Sequence, residues 1–143
     1  MGECYFSGGQ YGIYGGNQQY TVRSFEFVGQ TTAAICLIWD WGWTWTQLFV
    51  FESPIGILLI NPKDPTGQQA GSIYVMDSYF EDVGVMVHAN MRPETVLSSS
   101  IITLDNIGVE AVTNMVTFSD GSALDIPPST LDFVIVGNVQ ADG

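Results

Sequence analysis

Short apolar runs that alternate with polar residues recur along this chain. Ser24-Phe25-Glu26-Phe27, Leu48-Phe49-Val50-Phe51, Tyr74-Val75-Met76-Asp77, Ile102-Thr103-Leu104-Asp105 and Phe133-Val134-Ile135-Val136 each have strand length and composition. A second pattern runs in phase with them, an apolar-Gly-apolar step at Tyr11-Gly12-Ile13, Ile55-Gly56-Ile57, Val83-Gly84-Val85 and Ile107-Gly108-Val109, with Ala33-Ala34-Ile35 as a degenerate member. The central positions are 22, 22, 28 and 24 residues apart, a period in the range of stacked architectures. One unit reads as a strand, a polar corner (Glu52-Ser53-Pro54, Glu81-Asp82 or Asp105-Asn106), a second strand entered through glycine, and a closing loop.

A unit of this kind exposes one apolar face and must stack on a neighbour to bury it. No segment has helical periodicity with caps. The pattern predicts an all-β fold, a right-handed parallel β-helix of about five coils, with Gly12, Ala34, Gly56, Gly84 and Gly108 aligned at one corner. An antiparallel sandwich is the alternative, but two-residue Asn-Gly or Asp-Gly hairpins at regular spacing are missing. Turn formers place variable loops at Asn61-Pro62-Lys63-Asp64-Pro65-Thr66-Gly67, at 90–94 and from Ser119-Asp120-Gly121 to Pro128, and Ser98-Ser99-Ser100 reads as a small-residue stack within a rung. No linker interrupts residues 1–143, which read as one partial domain. Strand-like sequence from Tyr5 to Val136 shows no cap, so open rungs and marginal stability are expected of the isolated chain.

The densest feature is Cys36-Leu37-Ile38-Trp39-Asp40-Trp41-Gly42-Trp43-Thr44-Trp45, which holds all four tryptophans at every second position. A straight strand would put the four indoles on one face. A turn at Gly42 would instead make an aromatic corner holding one carboxylate. The rings could fill a core between strands or stack on a sugar ring, and spacing alone leaves both open.

Three basic residues (Arg23, Lys63, Arg92) stand against fifteen acidic ones, a formal net charge of −12. Phosphate backbones and anionic membranes call for clustered cations, so neither is an expected partner. A neutral ligand such as a glycan is compatible, and an anionic polygalacturonide is disfavoured. No apolar run approaches the length of a transmembrane helix. Met1-Gly2-Glu3-Cys4 leads straight into strand-like sequence without the basic and apolar regions of a signal peptide.

Paired carboxylates across a cleft would support glycoside hydrolysis, and Asp40, Glu26 and Glu52 are the acids nearest the tryptophans in sequence. Each also reads as a solvated acid at a strand edge or corner. Gly15-Gly16-Asn17 reads as a tight turn that sets Gln18-Gln19-Tyr20 at the start of a strand, where the two amides could hold sugar hydroxyls or form a ladder along stacked rungs. His88 reads as a structural histidine. Cys4 and Cys36 could pair or remain free, and their spacing does not suggest a metal site. No nucleophile elbow, Ser/His/Asp set or phosphate loop is present.

The run Phe6-Ser7-Gly8-Gly9-Gln10-Tyr11-Gly12-Ile13-Tyr14-Gly15-Gly16-Asn17-Gln18-Gln19-Tyr20-Thr21-Val22-Arg23 resembles the fungal exo-β-1,3-glucanases of glycoside hydrolase family 55. So do Ile38-Trp39-Asp40-Trp41-Gly42-Trp43-Thr44 and Gly71-Ser72-Ile73-Tyr74-Val75-Met76-Asp77-Ser78. The resemblance covers nearly the whole chain. It implies a pectate-lyase-like fold, an inverting hydrolase of β-1,3-glucan, secretion, and no metal or other cofactor. In that family two β-helices lie side by side around the glucan cleft, and the general acid is a glutamate on the second helix. This chain matches part of the first helix and has no counterpart of the acid, so it is expected to be inactive alone, with the second helix as its partner. Gln18, Gln19, Asp40, Trp41 and Trp43 are the positions the resemblance assigns to the cleft wall and to polar groups near the attacking water.

Overall fold

The computed structural model describes residues 4–60, 73–90, 102–118, 121–125 and 131–136; within these strands, the side chains at 17–20, 39–42, 90, 124–125 and 131–136 fall outside the description. Seven strands form one sheet: β1 (Cys4–Ser7), β2 (Tyr11–Val28), β3 (Ala33–Ile60), β4 (Ile73–Asn90), β5 (Ile102–Phe118), β6 (Ala123–Asp125) and β7 (Leu131–Val136). β1 to β5 pair in sequence order, and every pairing among them is parallel. Tyr11 pairs with Ala33 although β2 occupies most of the chain between them. Parallel neighbours need a crossover of a dozen residues or more. Here the strand itself is the crossover: it curls through a full coil and returns beside its own start. The fold is a parallel β-helix.

The bends are made by single residues in left-handed backbone. Ser24, Gln47, Asp77 and Asn106 have φ of 62°, 55°, 51° and 57°. The neighbouring pairs Arg23↔Thr46, Thr46↔Met76 and Met76↔Asp105 place these four residues in one column. Five residues later comes a second column, Gly29 (75°), Glu52 (55°), Asp82 (56°) and Ala111 (53°), with Gly8 (72°) before Gly29. From β2 to β5 each coil therefore carries a four-residue strand bracketed by two left-handed corners. Left-handed backbone crowds Cβ, and asparagine, aspartate and glycine tolerate it best. Side chains then tie the corners along the stack: Ser24 Oγ donates to Gln47 Oε1 at 2.6 Å, and Asn106 Nδ2 to Asp77 Oδ1 at 2.8 Å.

Inward residues stack in the same register. Val22, Trp45, Val75 and Leu104 form one fully or nearly buried column, and Phe27, Val50 and Phe80 another, with Phe6 stacked on Phe27 at 4.9 Å. Ser78 interrupts the column of Phe25, Leu48 and Ile107, yet is satisfied: its hydroxyl donates to Met76 O at 2.8 Å and accepts from Leu48 N at 3.0 Å. This bond joins two coils beside the corner at Gln47 and Asp77, where ladder pairing skips two residues on each strand.

Several expectations are corrected. Of the five small residues expected at one corner, Gly12 and Ala34 are in register. Gly56 instead faces Met86, Gly84 faces Pro54 and Gly108 pairs with Tyr79. These glycines answer to local crowding: a Cβ on Gly56 would lie 2.6 Å from Met86 O, and one on Gly12 would lie 2.4 Å from the Phe27 ring. The tight turn expected at Gly15-Gly16-Asn17 is continuous strand in β2 that faces a bulge in β3, with Gly15 paired to Leu37, Gly16 to Trp39 and Ile38 the extra residue. Phe133-Val134-Ile135-Val136 does not form a further parallel rung. β7 pairs antiparallel with Ile102–Ile107 of β5, and β6 folds back antiparallel onto Asn114–Thr117 after a turn at Gly121 (φ 87°). Together they pair along the outer edge of β5. The loop expected at 61–67, all but Asn90 of the one at 90–94, half of the one from Ser119 to Pro128, and Ser98-Ser99-Ser100 lie outside the described residues.

Candidate functional site

β2 and β3 bring the two singled-out motifs side by side. Asn17 pairs with Asp40, Gln19 with Gly42 and Tyr20 with Trp43, so Gln18-Gln19 lies on the coil next to Asp40-Trp41. The ladder runs unbroken through Gly42, so the turn expected there is replaced by continuous strand. The side chains of Gln18, Gln19, Asp40 and Trp41 lie outside the described residues. Their backbone register brings residues 18–19 and 40–41 together on two adjacent coils.

Trp43 and Trp45 both point inward. Trp43 is 8% exposed, Trp45 is fully buried, and their rings stack at 5.2 Å with planes 19° apart. Of the two readings left open by their spacing, these two rings take the core one. Trp43, in ladder register with Tyr20, thus supports this stretch from inside the coil. Sequence reasoning passed over Tyr11 and Tyr14, which touch ring to ring at 5.2 Å just before the bulge; Tyr14 is 59% exposed. An exposed tyrosine three residues before a polar Asn-Gln-Gln run was the available signal.

The other acids named beside the tryptophans stand elsewhere. Glu26 lies past the first left-handed corner, paired with Phe49, and Glu52 forms the second corner. Neither shares a face with Trp43 and Trp45. Further along the outer surface, the Tyr79 hydroxyl lies 3.0 Å from Glu81 Oε1 and 2.9 Å from Glu110 Oε2. These hydrogen bonds, reinforced by the two negative charges, hold the phenol in its protonated form well above the ordinary range. His88 Nδ1 lies 2.6 Å from Thr117 Oγ1 on the next coil, and partial burial lowers its pKa. This satisfied position matches the structural role read for it. Cys4 and Cys36 are both free, one exposed and one buried, and burial raises the Cys36 thiol pKa. Among the described residues, no three His, Cys, Asp or Glu side chains group as metal ligands would.

Residues 1–58 match the family model described as rhamnogalacturonase A/epimerase, pectate lyase-like. The coil stack described above is the architecture that match implies. The fold is pectate lyase-like. Across its whole length the chain is 31% identical to a probable glucan endo-1,3-beta-glucosidase of Arthroderma benhamiae, of which it covers 16%. It is also 31% identical over 111 residues, 76% of its length, to a protein of Penicillium expansum named non-secreted LysM effector LysM19, of which it covers 8%. The chain thus corresponds to a small part of each relative.

Proposed function

We propose that this chain is part of a hydrolase acting on β-1,3-glucan and that it supplies one wall of the glucan site. The observation that carries the reading is the end-to-end similarity to the Arthroderma glucosidase, in a chain whose Gln-Gln and Trp-Asp-Trp-Gly-Trp motifs pair on adjacent coils. In this reading positions 18, 19, 40 and 41 contribute the wall and the polar groups near the attacking water, and Trp43 holds that wall rigid from within. The motifs resemble exo-acting, inverting, secreted enzymes, whereas the Arthroderma relative is named an endo-enzyme. We adopt the exo reading: hydrolysis releases glucose from the chain end, and the general acid comes from a second β-helix.

Inversion requires a protonated acid on one side of the glycosidic bond and a base-activated water on the other, the carboxyls about 6.5–9.5 Å apart. The purified 143-residue chain is therefore expected to bind laminarin without releasing glucose. Release of glucose that Asp40→Asn or Glu52→Gln abolishes would mean that a complete site lies within the chain.

The Penicillium relative is named an effector, and beside the first reading stands a second, a module that holds glucan without cutting it. A chimera separates the two. Put in place of the corresponding segment of the Arthroderma protein, the chain should retain laminarin hydrolysis under the first reading and lose it under the second. Glucose as the dominant early product would support exo action, and a ladder of oligosaccharides would support endo action.

A further inference from the structure

Round the first left-handed corner from the Gln-Gln and Trp-Asp patch, the outer surface carries a shallow groove of about 540 Å³ lined by Cys4, Tyr5, Ser24, Glu26, Gln47 and Phe49. Tyr5, Glu26 and Phe49 occupy one column across β1, β2 and β3. Tyr5 is 63% exposed and Phe49 38% exposed, although both are large and apolar over most of their surface. Two ladder steps of about 4.8 Å set their α-carbons roughly 10 Å apart along the coil axis, with the Glu26 carboxylate between them. On the next coils the column continues as Tyr79 and Gly108, where the Tyr79 hydroxyl is engaged by Glu81 and Glu110.

We propose that this groove is a second carbohydrate-binding site, taking a neutral β-glucan laid along the coil axis. Two exposed rings repeating along an axis suit a ligand that repeats along its own length and presents apolar ring faces, as pyranose chains do. Aromatic side chains give such contact with little rotamer entropy to lose. Glu26 between the rings, with Gln47 and Ser24 at the rim, offers acceptors and donors for sugar hydroxyls. No Lys or Arg lines the groove and a carboxylate sits within it, so an anionic polymer is repelled, as the net charge of −12 also requires. The face differs from that of the proposed glucan wall, so occupation here would hold the polysaccharide and leave the other patch free. The choice of β-1,3-glucan rests on the function proposed above; the choice of a neutral glycan rests on the groove alone.

The test is calorimetric titration of the chain with laminarihexaose and cellohexaose, comparing wild type, the Tyr5→Ala/Phe49→Ala double variant and Trp41→Ala. Both rings are exposed, so the double variant should keep the wild-type melting profile, and Phe49→Tyr should restore the stacking surface. Expected is a loss of about tenfold in laminarihexaose affinity on the double substitution, recovered in part when position 49 is tyrosine, with this component unchanged by Trp41→Ala. Unchanged affinity of the double variant, in a chain that still binds laminarihexaose, overturns the groove and leaves the glucan reading standing. Cellohexaose bound through Tyr5 and Phe49, with no laminarihexaose bound, keeps the groove and overturns the β-1,3 assignment. Binding of neither hexaose overturns the site. A wild-type dimer that the double substitution dissociates assigns the patch to a second copy of the chain, which also overturns it.

Discussion

Asn106 donates its side-chain amide to the Asp77 carboxylate at 2.8 Å, and both residues are in left-handed backbone at corresponding corners of adjacent coils. The hydrogen bond and the strained φ fall at one position, so the corner depends on residues that serve both. Asn106→Val should be costly, because a β-branched residue is crowded at positive φ and cannot replace the amide donor. Left-handed strain of roughly 1–2 kcal/mol and a lost charge-assisted bond predict destabilisation of about 2 kcal/mol or more. Urea midpoints of the two proteins check this, and a shift within error would mean that the corner is not stressed.

The same geometry predicts one stabilising change. Ala111 completes the second corner column at φ 53°, is exposed, and has neither the amide nor the carboxylate that eases this conformation elsewhere. Ala111→Gly relieves the Cβ clash but adds backbone freedom to the unfolded chain, and the two effects oppose each other. The balance should be a gain of roughly 0.5–1 kcal/mol, seen as a higher melting temperature.

These corners also show what was legible in the sequence. The period was visible because every coil needs corners, and corners select small or polar residues. Assigning them to columns was not possible from spacing, because the coil length changes from 22 residues at Tyr11↔Ala33 to 30 at Trp43↔Ile73. Glycine was the misleading signal: Gly12, Gly56 and Gly84 are present because a carbonyl or ring leaves no room for a Cβ, while true corners at Ser24, Gln47 and Glu52 carry ordinary side chains. Asp120-Gly121 was an overlooked hairpin signal. Phe118 O accepts from Gly121 N at 3.1 Å, and the chain reverses into β6. At the candidate site, the closeness of the Gln-Gln and Trp-Asp-Trp segments is a register property that no single strand reveals. That Trp43 points inward followed from alternation only once the strand was known to continue through Gly42.

Trp43 and Trp45 support a third prediction. Trp43 is nearly buried and stacked on Trp45, so its truncation should be read first as a packing loss. Trp43→Ala should destabilise the fold by about 3–5 kcal/mol, as large aromatic truncations in cores do. Trp43→Phe should recover much of that loss, since a ring still fills most of the space. Denaturant unfolding followed by tryptophan fluorescence measures both. A Trp43→Ala protein with wild-type stability but weakened laminarin binding would show that this ring meets the ligand directly.

The last prediction concerns pH. His88 is half-buried on β4, its Nδ1 2.6 Å from Thr117 Oγ1, and burial lowers its pKa from the ordinary value near 6.5. A lowered pKa means that the folded state binds the proton less readily than the unfolded chain. The neutral imidazole therefore contributes stability that is fully present above the unfolded pKa. It is lost as pH falls from about 6.5 through the folded value, below which the difference is constant. His88→Gln places an amide beside Thr117 and removes the titration. Unfolding midpoints measured from about pH 7.5 down to about pH 5 should fall more steeply for wild type than for His88→Gln. Comparing the two profiles cancels the acids common to both proteins, which matters in a chain with fifteen Asp and Glu residues. Parallel profiles would show that His88 gains as much from its hydrogen bond when charged as it loses by burial.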